Sequence, residues 1–183
     1  RKWAQAGHSV MFGVRAVDNP EVQALAQELG ATVGSVADAI AFGAVVVFAI
    51  PGNAMEETIA AHGPALAGKV VVDAANRMDG GSMNSAAAFA AHAPGAQVYR
   101  ALNSVGWENF ENPMYGGGQA DLFYCGPAGA GQAAVEGLIR DVGLRPVRVG
   151  GVDQIGLVDM IGGLWFALAY GQGLGRNVAF KVL

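Results

Sequence analysis

At 183 residues, 52% hydrophobic and only 14% charged, the chain has the apolar content for one substantial core, in keeping with a sheet covered on both faces. A formal net charge of −4, with eleven basic residues scattered along the chain rather than clustered, argues against nucleic acid and against an anionic membrane surface as partners. The single cysteine, Cys125, leaves no internal disulfide framework and fits a reducing, cytoplasmic setting. The two most apolar stretches, Ala39–Ile50 and Met160–Tyr170, are shorter than the ~18 to 20 residues of a spanning helix, and no leader sequence is visible.

Arg1–Gly7 (RKWAQAG) reads as the closing turns of a helix with no N-cap before it, stopped by glycine, and His8–Arg15 as an apolar strand tipped by a cation. Helix end, glycine, strand and basic tip make the back half of a β-α-β mononucleotide-binding unit. The expectation is that roughly 18 to 20 further residues precede it, a strand and a glycine-rich turn that grips a pyrophosphate. That strand would lie between His8–Arg15 and Ala44–Ile50, so these two are expected not to pair directly.

Asn19-Pro20 is an N-cap followed by proline at the first helical position; Val22, Leu25, Ala26 and Leu29 share a face, and Gly30 closes the helix. Ala31–Ser35 predicts a short strand, with Ser35 capping a small helix through Phe42. Ala44–Ile50 is a β-branched run typical of a strand buried on both faces, broken by Pro51-Gly52 before a helix that Asn53 opens. Lys69–Asp73 is a second buried strand, Asn84–His92 an alanine-rich helix and Val98–Leu102 a strand. Gly116–Gly118 is expected to be a mobile loop, followed by a strand over Ala120–Cys125. Gly131–Val142 is an amphipathic helix with Val135, Leu138, Ile139 and Val142 on one face. Arg145–Val149 is a last strand and Val152–Ala169 a long apolar helix. This alternation predicts an α/β fold with a doubly wound, mainly parallel sheet, helices on both faces and its first strand missing. It is a single domain over residues 1–183, with a C-terminal helical segment over 151–183.

The polar candidates cluster just past the strands. Arg15 ends the first strand, where the adenosine ribose of a dinucleotide lies; an acid there selects a 2′-hydroxyl and a cation accommodates a 2′-phosphate. Phe48–Gly52 (FAIPG) ends a buried strand at the edge that faces the ligand crevice, where small residues and proline let backbone approach a ring; a plain strand-to-helix turn needs the same residues. Asn76 in DAANR and Asn103 in RALNS offer amides beyond the next two strand ends, although loop asparagines often satisfy only their own backbone. His8, His62 and His92 lack metal-ligand spacing, Cys125 sits in an apolar strand, and Gly171–Gly175 follows a helix, so none of these marks a site. No serine or cysteine is paired by motif with a base.

In order and spacing, the blocks GHSVMFGVR (7–15), VVVFAIPGNAMEE (45–57), VVVDAANR (70–77), YRALNSVG (99–106), ADLFYCGP (120–127) and VGLRPVRVGGVDQIGLVD (142–159) resemble the coenzyme F420-dependent NADP oxidoreductase family. Its Rossmann-like domain is related to those of pyrroline-5-carboxylate reductase and the ferric-reductase oxidoreductases. The resemblance implies two cofactors, NADP and coenzyme F420, and direct hydride transfer from nicotinamide to deazaflavin without a catalytic side chain. It places Arg15 at the 2′-phosphate, Ala49, Ile50 and Pro51 against the rings, and Asn103 at the asparagine of the family's Ala-Phe-Asn-Thr block. Arg77 stands where relatives carry proline. Trp107, Phe110, Trp165 and Phe166 are candidate walls for the second ring, and a homodimer using the apolar helix 152–169 is expected. The alternatives are another NADP-dependent reductase, acting on an imine, a flavin or a ferric chelate, or a truncated, non-catalytic nucleotide-binding module.

Overall fold

The computed structural model describes residues 1–183 as an α/β frame with a two-stranded sheet, a five-stranded sheet and a small β-hairpin. α1 (Lys2–Gln5) leads to β1 (Met11–Gly13), and its segment docks on a distant helix: Trp3 Nε1 donates to Leu138 O at 2.9 Å and His8 Nε2 lies 2.7 Å from Asp141 Oδ2. α2 (Pro20–Leu29) starts as expected, the Asn19 side chain accepting from the Glu21 and Val22 N–H groups and Gly30 closing it at φ 62°. β2 (Thr32–Gly34) is followed by α3 (Val36–Phe42), where Ser35 and Asp38 form a reciprocal capping box.

The larger unit holds β3 (Val45–Phe48), α4 (Met55–His62), β4 (Val70–Asp73), α5 (Ala86–His92) and β5 (Gln97–Arg100). Then come α6 (Glu108–Glu111), a hairpin of β6 (Met114–Tyr115) and β7 (Gly118–Gln119), β8 (Asp121–Cys125), α7 (Ala130–Asp141), β9 (Arg145–Gly150) and α8 (Ile155–Phe166). β1 and β2 form a parallel pair of their own; the second sheet runs β3-β4-β5-β8-β9, parallel except where β5 meets β8. β1 and β3 do not pair.

On β4 the neighbours Val71 and Val72 face opposite ways, as a strand's two-residue period requires, and enter different cores. Val72 joins Tyr99, Leu122, Tyr124, Val135, Ile139 and Leu144 under α7, and Val71 joins Ile40, Phe48, Met55, Ile59, Leu66 and Phe89 under α3, α4 and α5. Each such aliphatic side chain contributes about 1.5–3 kcal/mol by leaving water. The sheet is thus covered on both faces.

Local details differ from expectation. Ala44–Ile50 is covered on both faces, Val45 and Val47 against one core and Val46 and Phe48 against the other, but β3 pairs with β4 alone and its valines are half-buried. The strand expected over Val98–Leu102 ends at Arg100, because Leu102 turns into the left-handed region at φ 66°. Gly116–Gly118, expected as a mobile loop, forms the turn of the β6–β7 hairpin; Gly116 (φ 56°) and Gly117 (φ 80°) supply the two positive φ angles of a type I′ turn. The C-terminal helix is segmented, a 3₁₀ turn over Val152–Gln154, then α8, then a π turn over Ala167–Gly171. As a continuous 20-residue run it is long and apolar enough by length and composition to cross a membrane, which the shorter sequence estimate missed. Here its Val158, Gly162, Trp165 and Ala169 are buried, with α8 packed on β8.

Candidate functional site at the carboxyl ends of three strands

Parallel pairing sets the ends of β3, β4 and β5 level: Phe48 is in register with Asp73, and Asp73 with Arg100. The three loops that follow therefore share one sheet edge, the edge where open α/β sheets place their ligands. They also touch. A Cβ on Gly52 would fall 2.4 Å from Asn76 O, so only glycine lets the turn after β3 lie against the turn after β4. Ala49 and Pro51 are exposed and Ile50 is half-buried, giving this edge a small, uncharged surface.

Beneath the edge lies an ionic cluster that sequence reasoning did not single out. The Arg100 side chain is fully buried between Asp73, also fully buried, and Asp159 of α8. Its Nη1 donates to Asp73 Oδ1 (3.0 Å) and Ala75 O, its Nη2 to Asn76 Oδ1 (2.7 Å) and its Nε to Asp159 Oδ1 (2.9 Å). Asp73 also accepts the Ala75 and Ser85 N–H groups, and Asp159 accepts Asn84 Nδ2 at 2.6 Å. Burial pushes the Asp73 carboxyl above its usual range, against the pull of Arg100 and the two N–H donors. The available signal was a carboxylate and a guanidinium closing two neighbouring apolar strands, VVVD and QVYR.

Above the cluster, Asn76 Nδ2 donates to Asn103 O at 2.9 Å. Asn103 itself is 3% exposed, and neither its amide nitrogen nor its amide oxygen has a partner; the Ser104 hydroxyl is likewise buried and unpaired. Buried polar groups without partners are uncommon and costly, about 1–3 kcal/mol each, so this amide stands out at the edge. Gly162 of α8 is its near wall: a Cβ there would sit 3.3 Å from Asn103 Nδ2.

The aromatic candidates divide. Trp165 is buried, its indole N–H donating to Val178 O at 2.8 Å, with Phe166 edge-on to it at 5.2 Å and stacked on Tyr170 at 6.0 Å. Both follow Gly162 by about one helical turn. Arg176 caps this group 5.5 Å from the Trp165 ring, and its charge is met by Glu108, whose carboxyl it holds below the usual range although burial alone would raise it. Trp107 stands exposed beside Glu108, whereas Phe110 packs on the core under α7 and is not gathered with the others.

Arg15 lies exposed just beyond β1, clear of every ion pair in the molecule. The nearby Asp38 is drawn below its usual pKa by its hydrogen bonds to Ser35. Cys125 is buried in β8, which pushes its thiol up to about 11, away from the thiolate. No group of histidine, cysteine and acidic side chains has the geometry to hold a metal ion. A surface recess beside α2 and β2 is lined by Pro20, Gln23, Gln27 and Thr32 with small apolar residues and holds no titratable group.

Residues 1–77 match the family described as NADP oxidoreductase coenzyme F420-dependent. No curated protein matches the chain. Among solved structures, one from Arthrobacter sp. FB24, provisionally assigned as an F420-dependent NADP-reductase, superposes with a TM-score of 0.82 at 24% identity, over 100% of this chain and 91% of that one. A pyrroline-5-carboxylate reductase from Coxiella burnetii (TM-score 0.60, 14% identity) is covered over 66% of its length by 96% of this chain. A reductive aminase from Aspergillus terreus, in complex with NADPH and ethyl levulinate, gives 0.56 and 22%, with 94% of this chain spanning 59% of it. The resemblance to the F420-dependent NADP oxidoreductases thus holds in sequence over residues 1–77 and in α/β Rossmann-like fold over the whole chain.

Proposed function

We propose that the protein is an NADP-dependent oxidoreductase that passes hydride between NADP(H) and a deazaflavin of the F420 class. The observation that carries this reading is the buried, unpartnered Asn103 amide at three level strand ends. A carboxamide is its natural complement, each amide giving one donor and one acceptor. Arg15, outside every ion pair, holds the 2′-phosphate; Ala49, Ile50 and Pro51 offer a flat, uncharged surface to a ring; Asn103, held from behind by Asn76, binds at the nicotinamide end. The nicotinamide cofactor supplies the hydride when bound, and the chain's own work is to align the rings and exclude water. Trp165 and Phe166, one turn along α8 from Gly162, with Trp107 nearby, supply the wall for the second ring. The one cation there, Arg176, is already neutralised by Glu108, which favours a planar ring over a substrate carboxylate. The reading extends to a homodimer: Leu157, Met160 and Leu164 expose an apolar stripe at i, i+3 and i+7 along α8.

Mixing oxidised F420 with NADPH and the full-length protein tests this. The deazaflavin's visible absorbance should fall only when protein and NADPH are both present. Bound NADPH with unchanged deazaflavin absorbance would remove F420 from the account and leave an imine, flavin or ferric chelate as acceptor. Failure to bind NADPH at all would overturn the oxidoreductase reading.

A further inference from the structure

We infer that Arg100 is a positioning residue for the nicotinamide end of the site, acting on Asn103 through Asn76; this rests on the NADP reading above. A guanidinium carries five N–H donors in a fixed plane and no acceptor. Around Arg100 every direction of that fork meets an acceptor: Asp159 at Nε, Asp73 and Ala75 O at Nη1, and Asn76 Oδ1 with Met83 O (3.5 Å) at Nη2. A group that only donates settles how the Asn76 amide is turned. Its oxygen must face Arg100, so its nitrogen faces the other way and donates to Asn103 O.

That hydrogen bond falls where the backbone needs holding. Leu102, the residue before Asn103, has φ 66°, a conformation that side chains other than glycine rarely adopt. With its carbonyl pinned by Asn76, Asn103 presents a buried amide that no protein group satisfies. The same guanidinium ties in α8 through Asp159, and α8 contributes Gly162 as the wall beside that amide. Arg100 therefore fixes both the carbonyl behind Asn103 and the helix in front of it. A buried ion cluster is seldom the most stable filling for a core, and a role in fixing one geometry accounts for its presence here.

The test compares dissociation constants for NADPH and for 2′-phospho-ADP-ribose, which lacks the nicotinamide, on the full-length protein. Asn76→Asp keeps the acceptor that Arg100 needs and removes the donor to Asn103 O, so it probes positioning even if Arg100→Lys does not fold. NADPH should bind about tenfold more weakly to Asn76→Asp, Arg100→Lys and Asn103→Ala, while 2′-phospho-ADP-ribose stays within about twofold of the parent. Combining Asn76→Asp with Asn103→Ala should weaken NADPH binding by no more than about twofold beyond Asn103→Ala alone, because the two act on one contact. Additive losses, equal losses for both ligands, or no effect of Asn76→Asp would overturn the inference. So would a parent protein that binds the two ligands equally. A parent that binds neither overturns the functional reading, and this inference falls with it.

Discussion

Asp121 is fully buried and accepts hydrogen bonds from Arg145 Nε (2.6 Å), Arg145 Nη2 (2.7 Å) and the Val182 N–H (2.6 Å), so it ties β8 to β9 and to the C-terminal segment. Burial alone would raise its pKa; Arg145 and the Val182 N–H more than offset this and hold it below the usual carboxylate range. A carboxyl depressed in the folded state contributes its stability in full above its unfolded pKa and loses it as pH falls through the folded value. Unfolding free energy should accordingly decline as pH drops below ~4, and Asp121→Asn should cost about 2–4 kcal/mol at pH 7 and flatten that decline. Denaturant titrations of parent and variant at pH 7, 4 and 3 check it; an equally steep acid loss in the variant would refute it. At this scale legibility was uneven. Asn76 and Asn103 could be picked out because an amide just past a strand end is a local pattern. Arg100 could not, because a charge at the end of an apolar strand reads as a solvent-facing tip. Only the register Asp73–Arg100 and the arrival of Asp159 from α8 bury it.

Among the elements, those whose boundaries are set within a few residues were legible. Asn19 and Ser35 cap α2 and α3 with their own side chains, and Gly30 ends α2 through its own φ. The valines of β3 announced its two covered faces, but their half-burial follows from pairing with β4 alone, which no residue of β3 encodes. The Gly116-Gly117 turn was not legible because glycines mark a hairpin as readily as a mobile loop, and the paired strands, of two residues each, are too short to show a period. On α8, Leu157, Met160 and Leu164 are 42%, 63% and 49% exposed while Val158, Gly162 and Trp165 face inward. In the proposed homodimer this stripe forms the two-fold interface. Replacing Met160 and Leu164 together by glutamate should convert a dimer to a monomer in sedimentation, with the helical circular dichroism unchanged. A parent that sediments as a monomer, or a double variant that remains dimeric, would remove the dimer from the account.

For the molecule as a whole, the proposed function divides two tasks between two sheets: β1 and β2 carry Arg15 for the phosphate, and β3, β4 and β5 carry the ring surface and the Asn103 amide. α3 links the two, packing against β1 while its Ile40 enters the core beside Phe48 of β3. The α/β class and the shared edge of the strand ends were legible because alternation of strand and helix with right-handed crossovers leaves few other solutions. The antiparallel entry of β8 was not, since nothing within Ala120–Cys125 encodes direction. In the proposed function this frame holds NADP, with Arg15 reading the phosphate and the strand ends reading the nicotinamide. Equilibrium titration of the full-length protein with NADPH and NADH decides it. NADPH should bind at least ~10-fold tighter than NADH, with Arg15→Glu erasing the preference by weakening NADPH alone. Equal affinity for the two in the parent, or a preference that survives Arg15→Glu, would contradict it.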